Sequence, residues 1–140
     1  MGNKRIEIII SELDFYLINR IRELREEATP PIAQNKLSRE LGFAEGYISK
    51  VENYKERSKY NLWILNRLGR ILNLQSFNDF FPPEFFQNDI VKIQIEYFHN
   101  PLGNQKGKSS FKFQVVSKTP LTEEELEKWK RNKLPYCREI

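Results

Sequence analysis

At Pro82-Pro83 the spacing of apolar residues changes from the ~3.6-residue period of a helix to the two-residue period of a strand. Upstream, Ile6, Ile10, Leu13, Leu17, Ile21 and Leu24 recur three or four residues apart and make one helical stripe. Arg20, Arg22, Glu23, Glu26 and Glu27 occupy the other faces. Arg5–Ile10 also alternates as a strand does, and Ser11-x-x-Asp14 can cap a later helix start. The spacing therefore predicts a helix over Glu12–Glu27 preceded by extended chain, and Thr29-Pro30-Pro31 ends it.

Four shorter helices are expected before the proline pair. One spans Ala33–Leu41 and stops at Gly42, which accepts the left-handed conformation that closes a helix. Another runs from Glu45 to Asn53. Asn61 can cap a third, with Ile64, Leu65, Leu68, Ile71 and Leu72 on its apolar face. Ser76-x-x-Asp79 can cap a fourth that carries Phe77, Phe80 and Phe81.

Beyond the prolines, Val91, Ile93, Ile95 and Tyr97 alternate with Lys92, Gln94 and Glu96, and Phe111, Phe113 and Val115 with Lys112 and Gln114. The stretch 100–109, with Pro101, Gly103 and Gly107, reads as the hairpin loop between them. Thr122 and Glu125 form a capping box for a last helix, with Leu121 and Leu126 at the staple positions and Glu124–Lys128 and Glu127–Arg131 as i,i+4 pairs. A lone hairpin is marginal in water, so these strands need the last helix, a third strand from Arg5–Ile10, or a second chain.

The expected fold is mainly α. Residues 1–12 form an N-terminal extension able to make a strand, 13–83 a five-helix domain, and 84–140 a small β-hairpin plus C-terminal helix that serves dimerisation or partner binding.

No apolar run approaches the ~20 residues of a membrane span, and no secretory leader pattern is present, so a cytoplasmic location and no membrane partner are expected. One cysteine, Cys137, and one histidine, His99, exclude a disulfide framework and a Cys/His metal site. The net charge of +4 is modest, but it is unevenly spread: residues 1–45 carry −1, and residues 46–72 carry +4 through Lys50, Lys55, Arg57, Lys59, Arg67 and Arg70. A locally positive strip suits a polyanionic partner.

The run Gln34-Asn35-Lys36-Leu37-Ser38-Arg39-Glu40-Leu41-Gly42-Phe43, continuing Ala44-Glu45-Gly46-Tyr47-Ile48-Ser49-Lys50-Val51-Glu52-Asn53, resembles the helix-turn-helix of the Xre/Cro family of lambda-repressor-like DNA-binding domains. Gln34, Leu37, Leu41, Gly42, Phe43, Ile48, Ser49, Val51, Glu52 and Asn53 stand at the positions of its pattern, and the resemblance covers about residues 13–83. It implies that the helix over 45–53 lies in the major groove of double-stranded DNA. Gln34 would hold a phosphate. Glu45, Gly46, Tyr47, Ser49, Lys50 and Asn53 belong to the DNA-facing set, with Lys50 suited to guanine and Glu45 to cytosine N4. Lys55, Arg57 and Lys59 follow where phosphate contacts are usual. Glu52 would pair with Arg25 as a structural brace. The chain departs from the pattern at Ala33 and Ala44, which replace capping residues, and at Tyr54, which replaces a glycine.

Other features have simpler readings. Glu123-Glu124-Glu125 is explained by capping and the helix dipole rather than by catalysis. Gly103–Ser109 has three residues between its glycines and joins two strands, so it is not a nucleotide-binding loop. His99 reads as a loop residue, Cys137 as an unactivated thiol, and Trp63, Trp129, Phe98 and Phe111 as packing or dimer contacts. No acid, base, nucleophile and metal constellation emerges, so an enzyme is not expected, and no cofactor either. The expected function is a sequence-specific transcriptional regulator, a repressor acting as a homodimer at the nucleoid. The alternatives are an antitoxin-type autorepressor whose C-terminal region binds a toxin, and a protein-interaction adaptor whose helical domain does not bind DNA.

Overall fold

The computed structural model describes residues 4–99 and 111–140. The expected loop over 100–109 and the Gly103–Ser109 reading lie outside them. In chain order the elements are β1 (Lys4–Ser11), α1 (Glu12–Glu27), α2 (Gln34–Leu41), α3 (Tyr47–Glu52), α4 (Leu62–Ile71), β2 (Ile90–His99), β3 (Phe111–Pro120), α5 (Glu123–Lys130) and β4 (Cys137–Glu139), with a 3-10 turn at Phe77–Asp79 between α4 and β2.

The fold is α+β, and this corrects the mainly α expectation. The four strands of the described residues form one antiparallel sheet in the order β3-β2-β1-β4, so β1 is internal to that sheet. The hairpin does not stand apart. β1 pairs with β2 along its whole length, which sets Ile6 opposite Ile95, Ile8 opposite Ile93 and Ile10 opposite Val91. These six side chains are buried and belong to one cluster with Phe15, Ile18, Ile21, Leu37, Leu41, Ile48, Leu65 and Leu68 of the helices. One face of the sheet thus shares a single core with α1–α4.

The opposite face carries Glu7, Ile9, Lys92 and Gln94, and α5 is tied to it by Lys92 Nζ at 2.7 Å from Glu125 Oε2. Glu7 is almost fully buried there. It accepts from Arg138 at 2.8 Å and from Gln94 at 3.3 Å, and these bonds hold its carboxyl below the usual range.

β1 runs into α1 without a loop. Ser11 is both the last strand residue and the helix N-cap, its hydroxyl accepting from Asp14 N–H at 3.1 Å. The fifth expected helix is reduced to the three-residue turn Phe77–Asp79, although its Ser76/Asp79 capping box is made. Phe80 is held against α4 at Gly69, where an added Cβ would come within 3.2 Å of the ring. The proline pair follows before a further helical turn can form. The C-terminal helix has its Thr122/Glu125 capping box as expected.

Candidate nucleic-acid interface

α2 and α3 are packed through Leu37, Leu41, Ile48 and Val51, each at most 1% exposed. The reversal between them depends on Gly42, whose φ of 85° is one that side chains resist. Its N–H donates to Arg39 C=O at 2.9 Å, and Phe43 N–H donates to Ser38 C=O at 3.0 Å. Ser38 then links the two helices. Its hydroxyl donates to Gln34 C=O at 2.9 Å and accepts from Ile48 N–H at 3.0 Å, so a buried side chain from α2 satisfies an orphan donor of α3. Sequence reasoning passed over Ser38 because a small residue at that slot looks like plain packing.

α3 starts at Tyr47, two residues later than the expected 45–53 helix, because Ala44 offers no capping side chain and Ala44–Gly46 form a turn instead. Glu45, Gly46 and Lys50 are exposed, and Ser49 and Asn53 half-exposed, so these five members of the expected DNA-facing set lie together at the surface. Asn53 also accepts the Lys55 N–H through its side chain at 3.1 Å. Tyr47 departs from the set. Its ring packs sideways on Phe43, 4.6 Å between centroids, with Tyr60 beyond. Glu45 is paired with Arg39 at 3.1 Å, which offsets the negative charge it would bring near phosphates.

Gln34, expected on a phosphate, is turned inward and is 6% exposed. Its amide donates to Glu52 Oε1 at 2.9 Å. Glu52 is also held by Arg25 in a bidentate pair, Nε to Oε2 at 3.0 Å and Nη2 to Oε1 at 2.8 Å. The Arg25 Nη1 donates to Ile32 C=O at 2.9 Å. Arg25 and Glu52 are 0% and 2% exposed. A single buried polar cluster thereby joins α1, the start of α2 and the end of α3, and orients α3 relative to the rest of the domain.

The cations after α3 are brought onto aromatic faces. Lys55 Nζ lies 4.3 Å above the Tyr97 ring of β2, and Arg57 lies 5.5 Å from the ring of Tyr136. Both remain exposed. Lys59 is half-buried, 4.4 Å over Tyr136, and its ammonium donates to the Tyr136 hydroxyl. It is thus committed to the C-terminal segment rather than to solvent. Tyr54, in the glycine slot of the family pattern, is buried between Phe15 of α1 and Phe113 of β3, with centroids 5.1 and 4.5 Å away. The chain leaving α3 is therefore pinned to the sheet, which explains why a large aromatic stands there.

Burial holds the Lys59 pKa down at about 8, against the pull of Asp14 and with help from Arg57. In the unfolded chain the same lysine keeps its proton to 10.5, so between these values the unfolded state binds more protons and stability rises with pH. Relative to Lys59→Met, the wild type is expected to gain stability from pH 8 to pH 10. Burial also raises the Cys137 pKa, which opposes this rise in both proteins. Denaturant midpoints across that range check it, and parallel profiles would contradict the assignment.

Elsewhere, a groove of about 820 Å³ lies between α1 and the 78–86 segment, lined by Phe15, Tyr16, Phe81 and Phe86. Its charged groups are engaged: Lys118 Nζ sits 3.2 Å from Glu12 Oε2, and Arg20 donates to Asp79 C=O at 2.9 Å. Cys137 lies on β4, partly buried, with its pKa raised, which disfavours the reactive thiolate. Among the described residues no group of three His, Cys, Asp or Glu could hold a metal ion, and no helix is long and apolar enough to cross a membrane. Comparison with known protein families, with curated proteins and with solved structures finds no match to this chain.

Proposed function

We propose that the protein binds double-stranded DNA in a sequence-specific manner and regulates transcription, with α3 as the reading helix. The observation that carries this is the braced α2–Gly42–α3 unit. Its inner side is fixed by the Arg25–Glu52–Gln34 cluster and by Ser38, while Gly46, Ser49 and Lys50 are left on the outer side. A helix held this way meets the geometric demand of major-groove readout, which needs side chains placed to a fraction of an ångström on a rigid element. The resemblance of residues 34–53 to the Xre/Cro pattern supports the same reading.

The reader is short, and six helical residues cover one half-site. Tight binding then calls for two copies on a two-fold symmetric site, and a homodimer is the expected form. Lys50 and Ser49 are assigned to base edges, and Lys55 and Arg57 to phosphates. Gln34 and Lys59 act by positioning rather than by contact.

The test is fluorescence anisotropy with a mixed-sequence duplex at low and near-physiological salt. Salt-sensitive binding with an even number of chains per duplex supports the reading. Absence of binding at low salt by the folded protein overturns it and favours an adaptor role.

A further inference from the structure

The Arg57 side chain shares a cavity of about 120 Å³ with Ile9, Trp129, Asn132, Leu134 and Tyr136. The end of α5 therefore lies beside the segment that leaves the reading helix. That end is strongly basic: Lys128, Lys130, Arg131 and Lys133 fall within six residues, and no acidic residue occurs from 128 to 138.

The run is also held in shape. Lys133 N–H donates to Lys128 C=O at 2.8 Å and Asn132 N–H to Trp129 C=O at 3.0 Å, while Asn132 takes a φ of 57°. This is a closed helix terminus that displays its side chains from a fixed backbone. Lys128 is drawn to Glu124 at 3.4 Å, but Lys130, Arg131 and Lys133 are exposed. Favourable interaction with the helix dipole accounts for cations in the last turn, and it fades within that turn. Lys133 stands three residues beyond α5 and outside its reach.

We propose that Lys130, Arg131 and Lys133 form a second contact with the same duplex, gripping backbone phosphates that flank the segment read by α3. The inference rests on the DNA-binding reading. Arg57 lines the cavity at the end of α5 and Lys55 stands two residues before it, so cationic groups lie between the two surfaces in the chain. The contact carries no sequence information. It lengthens the footprint and adds counterion release.

Titrating a mixed-sequence duplex against salt concentration tests this with the full chain. Each lost phosphate contact lowers the slope of log K against log[salt] by about 0.9, so the triple variant Lys130→Gln/Arg131→Gln/Lys133→Gln is expected to lose about 2–3 units of slope. Affinity near physiological salt should fall about ten-fold or more. Arg131→Gln should lower the slope, whereas Lys112→Gln, an equal charge loss at an exposed position of the far edge strand β3, should not. An unchanged slope in the triple variant overturns the inference while leaving the DNA-binding reading intact, as does an equal fall in Lys112→Gln. No salt-sensitive binding by the wild type overturns the reading itself. Thermal melting of each variant separates a lost contact from a lost fold.

Discussion

Replacing Ile8 by alanine is expected to lower stability by about 2–5 kcal/mol, and removing residues 1–11 is expected to leave a chain that does not fold. Ile8 is 0% exposed at the centre of the sheet, opposite Ile93 on β2 and Cys137 on β4. Truncating it opens a cavity that neighbours from two strands and the helical layer cannot all fill, since each is fixed by its own packing. Deleting β1 is more severe. β4 loses its strand partner, β2 keeps β3 alone, and the core shared with α1–α4 loses Ile6, Ile8 and Ile10 together. Circular dichroism and the dispersion of an NMR spectrum check both. A chain starting at residue 12 that still melts cooperatively, with dispersed methyl signals, would contradict a β1 integral to the core.

The second large effect concerns the brace beneath the reading helix. Arg25→Met removes the bidentate cation from the buried Glu52 carboxylate and leaves it the Gln34 amide, and Glu52→Leu removes the paired carboxylate from the buried guanidinium and leaves it the Ile32 carbonyl and a longer 3.6 Å approach to Glu26. Either single change is expected to cost about 3–5 kcal/mol, the usual penalty for an uncompensated buried charge. The double variant Arg25→Met/Glu52→Leu removes both charges and should regain most of that loss, with about 1–3 kcal/mol remaining for the unpaired Gln34 and Ile32 groups. Urea denaturation of the two singles and the double makes a complete cycle. Singles within 1 kcal/mol of wild type would show that the cluster does not hold the helices. Because the brace sets the direction of α3, a single variant that remains folded should also bind DNA less well.

These two regions differ in how far the sequence disclosed them. The brace was accessible through the resemblance, which pairs Arg25 with Glu52, yet it misplaced Gln34. A glutamine at a helix start can point to solvent or inward with the same pattern of neighbours, and only the packed geometry shows that Glu52 has an acceptor to spare. Lys59 illustrates the same limit. It is one of three cations in a basic segment, and nothing in residues 55–59 signals that Tyr136, 77 residues away, will cover it.

The sheet was harder still. β2 and the start of β3 alternate cleanly and read as strands. β1 carries Ile8-Ile9-Ile10 in succession, and Ile6 and Ile10 also fall in register with the helical stripe of α1, so two periods fit one segment. Three adjacent isoleucines make sense once both faces of an internal strand are covered, Ile8 and Ile10 by the helices and Ile9 on the side of α5. β4 is three residues of mixed polarity, too short for any period to register. Strand partners more than eighty residues apart, such as Ile6 and Ile95, have no local signature at all. Local signals fared better: Ser11, Gly42, Asn61 and Thr122 all close or cap helices where their chemistry says they should.

The most direct test of the central claim is selection from a pool of random duplexes, run in parallel for the wild type and for Ser49→Ala/Lys50→Ala, with the retained fractions sequenced. These two side chains lie on the outer face of α3, away from the brace, so the variant is expected to fold. The wild type should retain a two-fold symmetric motif whose half-sites lie about one helical turn apart, or a multiple of it. The variant should select a relaxed motif at the positions those residues face, at about 1–3 kcal/mol per lost base contact. A wild type that enriches no motif even at low salt, or a variant that enriches the same motif with equal affinity, would contradict the account.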